Sequence, residues 1–188
     1  MQRLIAIAAT VLALAGCVTA PAPAAHATPQ LRLAPALLGR PLNLQQHLTL
    51  HAPGRDRQLD VLLEADARHV QMGLLAMGQV AARLDWDGTT LTESKASWWP
   101  QEVSGSRILS DLQLTLWPVD AIQAALPAGW RLVEDGDVRT LTQDGQVVTV
   151  ITRLTPLLVQ LDQRREHFQL EIESRDLGND AAASGNPT

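Results

Sequence analysis

The chain has 188 residues, 46% of them apolar, and 15 basic against 20 acidic side chains give a formal charge of −5. A mildly acidic chain speaks against a nucleic-acid partner, because phosphate affinity rests on clustered Lys and Arg. One cysteine excludes a disulfide framework within the chain, and the apolar share suits one domain with a sizeable core.

Met1-Gln2-Arg3 puts a positive charge ahead of the apolar run Leu4–Ala15, which Gly16-Cys17 closes. A charged start, a short apolar stretch and small residues at the exit predict a secretory signal over residues 1–16. The run falls short of the ~20 apolar residues a spanning helix needs. Leu14-Ala15-Gly16-Cys17 resembles the bacterial lipobox, which implies cleavage before Cys17 and a diacylglycerol on its sulfur. Acyl chains, at ~0.8 kcal/mol per buried methylene, hold a protein on a membrane without a spanning helix. Val18 rather than Asp follows, which implies the periplasmic face of the outer membrane. Residues 17–30 read as the lipidated cysteine and an Ala/Pro-rich tether, 31–176 as one domain, and 177–188 as a flexible tail.

From Leu44 the apolar period is two. Leu44, Gln46, Leu48 and Leu50 share one phase, then Leu59, Val61 and Leu63, then Val70, Met72 and Leu74, then Val80, Ala82, Leu84 and Trp86. Such alternation predicts antiparallel strands with one face on a core. Asp87-Gly88 predicts the turn into the next strand, at Thr89-Thr90-Leu91. The period then becomes helical. Ile108, Leu109, Leu112 and Leu116 form a stripe over Ser106–Trp117, with Ser106 placed to cap it and Pro118 to end it. Val119, Ile122 and Leu126 predict a second short helix, closed by Pro127-Ala128-Gly129. Strands resume at Trp130–Val133, Val138–Leu141, Gln146–Arg153, Leu157–Leu161 and His167–Glu173, with a hairpin turn at Asp144-Gly145. Strands, two helices and strands again predict a mainly β (α+β) fold. It is a curved antiparallel sheet or incomplete β-barrel with two central helices as a lid.

No catalytic constellation, metal site or cofactor is expected. His26, His47, His51, His69 and His167 lack His/Cys ligand spacing, no second cysteine exists, His47 and His51 fall in a strand pattern, and no nucleophile elbow occurs. The carboxylate pairs Glu64/Asp66 and Asp85/Asp87 sit beside turns, where acidic side chains are solvated. Asp111, flanked by Leu109, Leu112 and Leu114, needs a partner if buried, and Arg107 one turn earlier is placed to supply it. The alternative is an exposed polar stripe with Gln113 or Arg107. Trp86 and Trp117 read as core. Trp98 and Trp99 are adjacent in a loop, cannot both face inward, and so put at least one ring at a rim or membrane border.

Trp99-Pro100-Gln101-Glu102, Ile108-Leu109-Ser110-Asp111-Leu112-Gln113-Leu114 and Leu116-Trp117-Pro118 resemble the envelope lipoproteins grouped as domain of unknown function 3261 (DUF3261). Met77-Gly78-Gln79, Leu84-Asp85-Trp86-Asp87-Gly88 and Trp130-Arg131-Leu132 fit the same pattern, over roughly Leu44 to Glu173. That family is similar in turn to the LolA/LolB lipoprotein carriers, which implies an incomplete barrel whose apolar cavity holds acyl chains. The resemblance implies a lipid, lipoprotein or aryl polyene-type cargo, and a periplasmic LolA-like carrier as the delivering partner. On this reading Leu48, Val61, Met72, Leu84, Val150 and Leu170 line the cavity, and Ile108, Leu112 and Leu116 form its lid. Leu75, Met77, Trp98 and Trp99 are the candidates for membrane or rim contact. The competing expectation is a non-enzymatic assembly lipoprotein with a solid core and an exposed docking patch.

Overall fold

The computed structural model describes residues 28–100 and 103–178. The segment expected to be a signal (1–16), Cys17, most of the expected tether and nearly all of the expected tail lie outside those residues. Five strands come first: β1 (Leu42–Ala52), β2 (Arg55–Ala65), β3 (Val70–Ala76), β4 (Gln79–Trp86) and β5 (Leu91–Lys95). Helices α1 (Gly105–Leu116) and α2 (Val119–Ala125) follow. The chain closes with β6 (Trp130–Asp135), β7 (Val138–Gln143), β8 (Gln146–Thr155), β9 (Leu158–Gln163) and β10 (Phe168–Asp176).

All ten strands form one antiparallel sheet in the order β5-β4-β3-β2-β1-β10-β9-β8-β7-β6, so β5 and β6 are its unclosed edges. Most neighbours are joined by short turns. Asp144 and Gly145 both take positive φ (49° and 81°), the geometry a two-residue hairpin turn needs. Asp87 works differently. Its carboxylate accepts from the backbone N–H groups of Thr89 and Thr90, both at 2.7 Å, so the Asp-Gly pair opens a longer turn.

The sheet must curl. From β5 to β7 is eight strand steps, about 38 Å in a flat sheet at ~4.8 Å per step. Helix α1, 12 residues long, spans only about 18 Å at 1.5 Å per residue. Yet its first residue accepts a contact from β5, where the Gly105 N–H donates to Glu93 Oε1 at 2.9 Å. Its last turn meets β7, where Arg139 donates to the Leu114, Thr115 and Trp117 carbonyls at 3.1, 3.1 and 2.8 Å. The sheet therefore wraps around the helix. Gly105 leaves room at the tight end of this contact, since a Cβ there would lie 2.5 Å from Leu84 Cδ2 and force that side chain to shift.

Alternation fixes the inner face as expected for most strands, with Val61, Leu63, Val70, Met72, Leu74, Leu84 and Trp86 all buried. Two β-bulges overturn it locally. The register jumps between Leu74 and Leu75 opposite β4, so Ala81 and Ala82 are both buried and Val80 is turned outward, 43% exposed. The second jump lies between Leu141 and Thr142 opposite β8. Val148, Thr149 and Ile151 are buried there, and Val150, expected to line the interior, stands opposite Thr140 and Asp162 on the outer face. The helix cap also differs: α1 starts one residue earlier, and Ser104 rather than Ser106 accepts from the Arg107 N–H, at 3.3 Å.

Residues 28–38, for which the periodicity gave no element, form a strap across α1 that ends in a short 3-10 turn (Pro35–Leu38). Its Leu31, Leu33 and Leu38 are buried in the main core. Thr28, inside the stretch expected to be tether, is already buried in the packed domain.

Candidate functional site

Among the described residues, the expected cavity and lid residues apart from Val150 converge on the inner face and its cover. Val61, Met72, Leu84 and Leu112 are buried there within one apolar core. Ile108, Leu116, Leu48 and Leu170 are half-buried and packed against it. The interior beneath α1 is filled by side chains, including fully buried Trp86, Trp117, Leu63, Leu74, Leu109, Ile122, Leu141 and Leu161. Beyond the helix, an apolar band on the same face stays partly open. Leu48 stands opposite Leu59 and Ile172, Ile172 opposite Val159, and Leu50 opposite Leu170.

Two concavities flank the cover. One, lined by Thr115, Glu134, Asp137, Arg139, Ile151, Arg153 and Val159, holds about 10 Å³, about the room of one water. The other is an open groove of about 290 Å³ between the β1–β2 and β9–β10 turns, lined by His51, Ala52, Pro53, Asp162, His167, Phe168 and Gln169.

Polar side chains hold the cover in place. The Leu31 N–H donates to Ser110 Oγ at 3.0 Å, and that hydroxyl donates to the Pro29 carbonyl at 3.1 Å. Gln113, fully buried, accepts from the Leu33 N–H at 3.0 Å and donates to the Leu33 carbonyl at 2.9 Å. Trp86 Nε1 donates to the same carbonyl at 2.8 Å, and Trp117 Nε1 to the Ala34 carbonyl at 3.2 Å. The exposed-stripe alternative therefore fails for Gln113. A polar residue between Leu112 and Leu114 on an apolar helix face was the one signal that something with a backbone must lie against it.

At the other end of α1, Arg107 Nε donates to Asp111 Oδ2 at 2.8 Å and Nη1 to Glu166 Oε1 at 2.5 Å. Gln163 completes the cluster. With its amide nitrogen toward the Val148 carbonyl, its oxygen accepts from Thr149 Oγ1 and Arg107 Nη2 at 3.0 and 3.1 Å. Burial pushes the Asp111 carboxyl up to about 6, against the pull of Arg107 and with a smaller push from Glu166. For Arg107, burial works against the charge, and the attraction of Asp111 and Glu166 outweighs it, so its pKa is raised.

The remaining carboxylates serve turns and strand pairs. Backbone N–H groups of Arg68 and His69 hold Asp66 below the usual range, and those of Thr90 and Thr89 do the same for Asp87. The His69 side chain, then Gln71, lowers Asp85. His47 and His51 pair with Asp60 and Asp56 on the outer face at 2.8 and 3.1 Å. Among the described residues, no three His, Cys, Asp or Glu side chains gather as a metal site requires.

The rim candidates separate. Trp99 is buried, its Nε1 donating to the Val103 carbonyl at 3.2 Å, whereas Trp98 is 46% exposed. Met77, with φ 51° at the β3–β4 turn, is 92% exposed. Leu75 is half-buried on the outer face, opposite Val80. Leu74, Leu75 and Ala76 belong to β3, with Leu74 in the core.

The family model for a protein of unknown function, DUF3261, matches residues 43–176. The chain belongs to that family. The DUF3261 match begins one residue into β1 and ends with β10, so it covers the whole sheet and both helices and leaves the strap outside. Comparison with curated proteins gives no match. No helix among the described residues of this DUF3261 protein is long and apolar enough to cross a membrane.

Proposed function

We propose that this DUF3261 protein is an outer-membrane lipoprotein, held by a lipid on Cys17, that binds or transfers an amphipathic acyl-chain ligand inside a LolA/LolB-like half-barrel. The observation that carries the reading is the inner apolar band of Leu48, Leu50, Leu59, Val159 and Leu170, which continues the buried core past the end of its cover. A partly open apolar floor with a few polar groups at its margin is the kind of lining that ligand sites take, and the work needed is shielding from water rather than bond chemistry.

The orientation agrees with membrane work. Thr28, where the strap meets the tether, donates to Glu166 at 3.3 Å in the β9–β10 turn. By strand direction that turn lies at the same end of the sheet as Met77. Met77, Val80 and Trp98 would then be the apolar side chains nearest the bilayer from which the lipid on Cys17 extends.

The assembly reading has one observation in its favour, the filled interior beneath α1. Mass spectrometry of what co-purifies with a soluble chain from Val18 onward, made in its own host, separates the two. A reproducible acyl or polyene species supports the carrier. A protein that is empty after several gentle preparations, and takes up no added fatty acid, leaves the assembly role.

A further inference from the structure

The strap is attached unlike the rest of the cover. The segment carrying α1 and α2 is tied at both ends to sheet edges, through β5 and β6. The strap runs from Thr28 straight into β1, with no described strand on its N-terminal side. Its described bonds to the rest of the fold run through side chains, with no backbone rung to any strand. Beneath it, three N–H donors converge on two consecutive carbonyls. Trp86 Nε1 and Gln113 Nε2 share the Leu33 oxygen, at 2.8 and 2.9 Å, and Trp117 Nε1 takes the Ala34 oxygen at 3.2 Å. The donors are set in apolar surroundings that also hold the Leu31 and Leu33 side chains. An apolar trough with a few convergent polar groups is the composition of a small-molecule site.

We infer that the Trp86–Gln113–Trp117 donors form a carbonyl-binding site for the head of an acyl ligand, and that the strap occupies it as an intramolecular stand-in that the ligand displaces. The inference rests on the acyl-ligand reading and gives it a location. The ligand's carboxylate or ester carbonyl replaces the Leu33 and Ala34 oxygens, and its chain replaces the Leu31 and Leu33 side chains. Displacement leaves none of these three donors unpaired, because each passes from one oxygen to another, and its cost falls on Ser110 Oγ and Gln113 Oε1, which lose the Leu31 and Leu33 N–H groups. Since the strap leads to the tether, ligand entry also lengthens the leash between the domain and Cys17.

The test uses the soluble chain from Val18 onward, which keeps every described residue, with palmitic acid as the probe. Hydrogen exchange is followed at the Leu31 and Leu33 amides, which the strap buries against Ser110 and Gln113. Saturating palmitate is expected to speed their exchange about tenfold or more while α1 amides stay protected. A second arm replaces Leu31 and Leu33 together by Ser, with folding checked by circular dichroism. Loosening the strap raises the open fraction, so palmitate binds about tenfold more tightly, whereas Leu37→Ser in the same segment, at an exposed position, leaves binding unchanged. Palmitate binding with the two amides unchanged or slowed overturns the site and leaves the carrier reading standing. Failure of both wild type and the folded double variant to take up palmitate sinks both. The exchange arm needs no variant, so an unfolded double variant does not rescue the proposal.

Discussion

The two wings of the sheet solve the same packing problem with different chemistry. On β1–β5 the buried inner face is almost wholly apolar, and its single buried polar residue, Gln46, lies at the seam and donates to Ser174 at 3.0 Å. On β6–β10 the buried set mixes Leu132, Leu141, Ile151 and Leu161 with Thr149 and Gln163. Arg139 reaches inward there, paired with Glu134. The first wing is a floor that holds α1 and the strap mostly by shape, with Glu93 on the Gly105 N–H and Trp86 on the Leu33 carbonyl as its polar contacts. The second wing grips the ends of α1, with Arg139 on its last carbonyls and Gln163 and Glu166 on Arg107 of its first turn. Oriented helix termini need polar partners when they are buried, and the second wing supplies those of the last turn.

The contrast predicts a ranking of effects. Trp86→Ala strikes the floor and should cost about 4 kcal/mol, since a large buried ring leaves a cavity and the Leu33 carbonyl loses a donor. Urea denaturation followed by circular dichroism reads it, and a loss below about 1 kcal/mol would break the claim that shape dominates this wing. Arg139→Met keeps the aliphatic stem and removes the donors to three carbonyls. The same titration should show a loss of about 3 kcal/mol, and an unperturbed midpoint would mean that water satisfies the end of α1 just as well.

Asp111→Asn gives the third effect, and it depends on pH. The folded-state pKa of Asp111, about 6, lies above its unfolded value. The folded protein therefore holds this proton more tightly, and its stability falls as pH rises from about 4 through about 6. The Asn variant lacks that slope, so its stability relative to wild type should rise across the window by on the order of 2 kcal/mol. Urea midpoints at pH 4 and pH 7.5 decide the matter, and the opposite slope would show that Arg107 outweighs burial. The smallest effect is Met77→Ser, expected to shift stability by less than about 0.5 kcal/mol because the side chain is exposed. Flotation with phospholipid vesicles should nonetheless show weaker association than for wild type. Equal flotation of the two would remove the β3–β4 tip from the membrane contact.

The first wing was the more legible in the sequence, for a physical reason. Alternation reads out directly where every inward side chain is apolar, as at Val61, Leu63, Met72 and Leu84. It fails where a bulge inserts a residue, because a bulge leaves no mark in hydropathy: Val80 and Val150 are as apolar as their buried neighbours. The helices were legible from the Leu109–Leu112–Leu116 stripe and from Pro118. The Arg107–Asp111 pair followed from its spacing of four. The strap was not. An extended segment bonded only to side chains has no period of its own, and Leu31 and Leu33 are too few to establish one. Its partners Ser110, Gln113, Trp86 and Trp117 are scattered over two elements and a helix end, so only the folded chain brings the candidate site together.

The seam between β1 and β10 also governs how the molecule is made. Every other neighbouring pair in the sheet joins strands consecutive in the chain, whereas Gln46 meets Ser174 across a separation of 128 residues. Each wing can form from local turns as it emerges, but β1 has no second neighbour until the last strand arrives. Closing so long a loop is slow compared with forming hairpins. A chain halted before Phe168 therefore exposes a strand of 11 residues with one unpaired edge, a template for pairing with another copy. Production of the protein depends on keeping that edge single until synthesis delivers its partner.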